Sequence, residues 1–140
     1  MIGALLAIAG LIYCVLGLLH AIFTLMDERH PKRLAPDDPA VTAAMRASKL
    51  RLSRGATTLW QVWISFNLTH SLAAMLFGTA CFIVAAHFGL FVFSPWALFT
   101  LAAVSLVFAL IGLRYWFGVP RAATLIATAC LAAAWLLYAL

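Results

Sequence analysis

Trp60-Gln61-Val62-Trp63-Ile64-Ser65-Phe66-Asn67-Leu68-Thr69-His70-Ser71-Leu72-Ala73-Ala74-Met75-Leu76-Phe77-Gly78 is the stretch on which the reading of this chain turns. It lies inside an apolar run long enough to cross a bilayer, yet it carries Gln61, Ser65, Asn67, Thr69, His70 and Ser71. Polar and ionisable side chains destabilise a helix at bilayer depth, so they face a bundle interior or a cavity. On a helix Asn67, His70, Ala74, Gly78 and Cys81 share one face in steps of three and four. The small residues mark that face as packed inward.

The rest of the chain reads as scaffold around this segment. A length of 140 residues indicates one domain, residues 1–140. Only 9 % of residues are charged and the mean hydropathy is +1.09, which excludes an ordinary soluble domain. About 20 apolar residues span a bilayer, and the sequence offers such runs at about 2–26, 57–86, 95–116 and 120–140. The expected fold is all-α, an integral membrane four-helix bundle. The first run lacks a basic n-region and exceeds a signal h-region, so it reads as a retained span. Its small residues, Gly3, Ala7, Gly10, Cys14, Gly17 and Ala21, form a stripe that admits a neighbouring helix. Beside it Tyr13, His20 and Asp27 recur every seventh residue. Ser94-Pro95 opens the third span with an N-cap acceptor and a first-turn proline, and Gly118-Val119-Pro120 is expected to turn the chain into the fourth.

Charge sets the expected topology. Seven of the nine basic residues lie between Arg29 and Arg54, and Arg114 and Arg121 flank the turn between the third and fourth spans. The connection from His87 to Pro95 has no formal charge with histidine neutral. By the positive-inside rule the loop 27–56 is cytoplasmic and both termini are on the outer, periplasmic side. Asp38-Pro39 starts a short helix in that loop. Val41, Ala44, Met45, Ser48 and Leu52 fall on one side of it, and Arg46, Lys49, Arg51 and Arg54 on the other. This is a basic amphipathic interfacial helix suited to an anionic inner leaflet, each cation contributing about 1 kcal/mol. A nucleic-acid partner is not expected, because no extramembrane segment is long enough to build a basic face.

Depth decides which polar residues can meet. At 1.5 Å per residue, His20 lies about 9 Å from the cytoplasmic end of the first span, with Asn67 about 12 Å and His70 about 16 Å deep in the second. The two spans are consecutive and antiparallel, so His20, Asn67 and His70 are expected to converge, with Thr24, Gln61 and Ser65 lining the cytoplasmic side. Four readings fit: a small-ligand or proton site, a haem b centre with His20 and His70 as axial ligands, metal transport that adds Cys14 and Met75, and a hydrogen-bonded patch that fixes helix register. Cys14, Cys81 and Cys130 form no Cys-x-x-Cys pair and read as small hydrophobes. No serine–histidine–acid set, phosphate loop or intramembrane acidic pair is present, so the expected role is not enzymatic.

The string Phe66-Asn67-Leu68-Thr69-His70-Ser71, followed by Phe77-Gly78, resembles a Phe-Asn-x-Ser/Thr-His-Ser motif in a family of small bacterial membrane proteins with four helices. The resemblance implies a bacterial inner-membrane location and carries no activity with it. The expected function is an accessory subunit of a membrane complex, self-associated or with other chains, or a small-ligand-binding protein. A haem b electron-transfer protein is the alternative.

Overall fold

In the computed structural model, which describes residues 1–88 and 94–140, helices make up most of the chain. In order come α1 (Ile2–Arg29), α2 (Pro39–Ala47), a 3-10 turn at Arg51–Ser53, α3 (Leu59–His87), α4 (Pro95–Tyr115) and α5 (Gly118–Ala139). No strand occurs among the described residues. The four long helices α1, α3, α4 and α5 are each long and apolar enough to cross a membrane. The polar residues Asp27, Glu28 and Arg29 continue α1 past its apolar run. Part of the connection between α3 and α4, residues 89–93, lies outside the described residues.

One repeat governs all four long helices. On α1 the buried positions include Leu6, Gly10, Tyr13, Gly17, Thr24 and Asp27, with half-buried His20 in the same register. On α3 they are Trp60, Ile64, Ser71, Ala74, Gly78 and Cys81, with Asn67 half-buried between them. Leu98, Ala102, Ser105, Ala109 and Gly112 continue the pattern on α4, and Thr124, Ala127, Leu131 and Ala134 on α5. Steps of four and three alternate along each helix, the 3.5-residue repeat of left-handed helix packing. The stripe that α1 buries is therefore the Tyr13–His20–Asp27 line, rather than the small-residue stripe beside it, with Gly10 and Gly17 common to both.

The chain divides into two units. The first comprises Met1–Leu16 with Ala74–Leu140. Segments of all four long helices pack there around Leu6, Ala9, Tyr13, Cys81, Leu98 and Leu131. Backbones come close where glycines face each other. A Cβ added to Gly78 would lie 2.6 Å from the Gly10 carbonyl oxygen and 2.9 Å from the Cys14 amide nitrogen. Polar atoms in this interior satisfy one another: the Tyr13 hydroxyl bonds Ser105 Oγ at 2.8 Å, and Ser105 Oγ meets Thr128 Oγ1 at 2.7 Å. Phe77 stands edge-on to Tyr13, with ring centroids 4.7 Å apart.

The turn before α5 falls at Trp116-Phe117, earlier than the glycine and proline predict. Both residues are extended, and Gly118-Val119-Pro120 already forms the first helical turn. Proline is tolerated there because a first-turn N–H has no intrahelical acceptor.

The second unit is Gly17–Ala73. Its loop helix begins as the sequence predicts, with the Asp38 carboxylate accepting from the Ala40 N–H at 2.8 Å and Pro39 in the first position. It is shorter than expected, because Ser48 turns extended and Lys49 pairs antiparallel with Thr58. The Leu50 N–H donates to the Thr57 carbonyl and the Leu59 N–H to that of Ser48, both at 2.9 Å. Arg54 and Gly55, at φ 52° and 87°, reverse the chain between these partners. Of the four cations assigned to an amphipathic face only Arg46 lies on α2, while Lys49, Arg51 and Arg54 sit exposed on the hairpin.

Candidate functional site

The polar centre of the second unit is built by α1 and α3. His20 Nε2 and Asn67 Oδ1 are 2.8 Å apart. The Asn67 Nδ2 donates to the Trp63 carbonyl one turn earlier at 2.7 Å, which turns the amide oxygen toward His20. An oxygen only accepts, so the His20 proton resides on Nε2. The His70 ring stands edge-to-face against His20, centroids 5.5 Å apart and planes at 70°, and Phe66 stacks on His70 at 6.4 Å.

Two buried hydroxyls lie beside this trio and point back into their own helices. Thr24 donates to the His20 carbonyl and Ser71 to that of Asn67, each at 2.8 Å. Of the six residues expected at the site, His20, Asn67 and His70 come together, with Thr24 a turn away on α1. Gln61 and Ser65 do not join them; both are exposed. Gln61 Oε1 accepts from the Thr58 N–H at 2.9 Å while Thr58 Oγ1 accepts from the Gln61 N–H at 3.2 Å. This reciprocal pair is a capping box at the start of α3, and Thr-x-x-Gln was its signal in the sequence. Ser65 donates to the Val62 carbonyl.

Asp27 is the residue that sequence reasoning passed over. Fully buried, its carboxylate accepts from the backbone N–H groups of Lys32, Arg33, Leu34 and Ala35 at 2.6–3.1 Å. An ionised carboxylate is acceptor-only and has room for all of them. Its place seven residues after His20, in the buried register of α1, marked it. Arg46 is also engaged, donating to the Glu28 carbonyl at 3.1 Å with its guanidinium 5.0 Å from a Trp60 ring centroid. Trp60 itself is buried, stacked on Trp63 at 5.2 Å.

As the rings stand, His20 and His70 pack against each other rather than on either side of an iron. Axial ligation needs a bare ring nitrogen from each histidine aimed at an iron with a macrocycle between them. Here His20 Nε2 is taken by Asn67, which leaves Nδ1 as the bare nitrogen, and the imidazoles lie edge to face. No group of three or more histidine, cysteine or acidic side chains is placed to hold a metal among the described residues. Cys14 and Met75 belong to the other unit, where Cys14 Sγ lies 3.6 Å from the Met75 carbonyl oxygen. Comparison of the chain with protein-family models, with curated proteins and with solved structures finds no match.

Proposed function

We propose that this chain is a non-enzymatic accessory subunit of a bacterial inner-membrane complex, with its basic loop cytoplasmic, both termini periplasmic and a polar site around Asn67 and His70 that fixes helix register. The observation that carries this reading is the bonding of Asn67 within the protein, whose amide oxygen accepts from His20 and whose amide nitrogen donates to the Trp63 carbonyl. A ligand site keeps donors and acceptors for its guest; here Asn67, Thr24 and Ser71 direct theirs to the protein itself. Interhelical hydrogen bonds in membranes average about 0.6 kcal/mol, so such a patch specifies geometry more than it stabilises.

A subunit also needs a face for its neighbour. Ser65, Thr69 and Ala73 are exposed at successive turns of α3, small enough to admit another helix closely. The test is blue-native electrophoresis of membranes containing the full chain, alongside disulfide trapping of Thr69→Cys. A species larger than the monomer, dissociated by Thr69→Ile, supports the subunit role. Migration as a lone monomer with no trapped partner removes it. An absorption spectrum, oxidised and dithionite-reduced, is expected to lack the Soret and α-bands of haem b.

A further inference from the structure

We propose that a groove at the Asp27 end of α1 is a headgroup site for an anionic phospholipid. Its phosphate lies among Arg29, Lys32 and Arg33, and its acyl chains lie on Ile22, Leu25 and Met26. The groove encloses about 680 Å³ within the second unit, and all six of these side chains line it. One wall is the last apolar turn of a membrane-crossing helix, where Leu25 and Met26 are 51 % and 49 % exposed. The other wall is cationic.

The cationic wall is held in place by Asp27. Its bonds to the Lys32, Arg33, Leu34 and Ala35 N–H groups fold residues 32–35 back against the end of α1. The Arg33 guanidinium then lies 4.6 Å from the Phe23 ring centroid, at the margin of the apolar wall. Because the Asp27 oxygens take backbone donors, they do not pair with these side chains. Glu28 is the other carboxylate in the lining, against three cations. A molecule with a phosphate and apolar tails matches both walls, whereas free phosphate uses only one. This inference rests on placing the basic loop at a membrane surface and not on the subunit role, so the two fail separately.

Native mass spectrometry of the full chain in mild detergent tests it, with phosphatidylglycerol and phosphatidylcholine offered at equal concentration. Phosphatidylglycerol is expected to be retained preferentially, and Arg29→Gln and Arg33→Gln each to lower its retention about fivefold. The paired hairpin substitutions Arg51→Gln and Arg54→Gln leave it unchanged. Equal retention of the two lipids overturns the proposal, as does an equal loss in the hairpin variant, which indicates diffuse attraction. Competition by soluble glycerol phosphate at the same concentration as the lipid also overturns it, since the apolar wall then plays no part.

Discussion

Asn67 illustrates how one side chain can tie two helices together while also bonding the backbone of its own helix. Replacing it by leucine leaves the His20 Nε2–H without its acceptor and the Trp63 carbonyl without its extra donor. Asn67→Leu is expected to lower unfolding stability in detergent by about 1 kcal/mol, within the range measured for interhelical bonds in membranes. A change under a few tenths argues that the pair is incidental. Thr42 predicts the opposite sign. Its Oγ1 is buried without a hydrogen-bond partner among the described residues, so Thr42→Val keeps the shape and removes an unsatisfied group. We expect a gain of about 1 kcal/mol, read as a higher midpoint in thermal unfolding. Much of the polar centre was legible in the sequence. Depth alone sets Asn67 about 3 Å and His70 about 7 Å from the level of His20, and Asn67 meets His20 Nε2. The engagement of Gln61 by Thr58 was written in the same sequence, but reading polarity as a pointer inward hid it.

Among the elements, the α1–α3 crossing at Gly10 and Gly78 is the least forgiving. A methyl group at Gly78 meets backbone atoms of α1, which cannot swing aside as a flexible side chain can. Gly78→Ala is expected to destabilise by about 3 kcal/mol, at the upper end of overpacking, or to prevent assembly of the first unit. Gly118→Ala, where an added Cβ meets nothing within 4 Å, is the matched control and is expected to be stable. If both behave alike, the close approach is not what holds the helices. Hydropathy made the four spans readable because each must satisfy its backbone internally in lipid. The end of α2 was not readable in that way. It is set by the pairing of Lys49 with Thr58, a contact between residues that no helical period relates.

Across the whole molecule, charge and hydrogen bonding are divided unevenly. The first unit buries a hydroxyl chain through Tyr13, Ser105 and Thr128, while the second holds His20, His70 and most of the cations. Each of the four long helices exposes large apolar side chains, Leu11, Leu76, Val107 and Ile126 among them, so composition alone disclosed the class of protein. The carboxylate of Asp27 has a consequence that can be followed in heavy water. Residues 32–35 lie outside any helix, and amides in such loops normally trade hydrogen for deuterium quickly. With their N–H groups held by one buried side chain, these four should exchange slowly, an island of protection in the loop. Asp27→Asn, which puts an amide donor where an acceptor stood, should release all four together while leaving the central turns of α1 as slow as before.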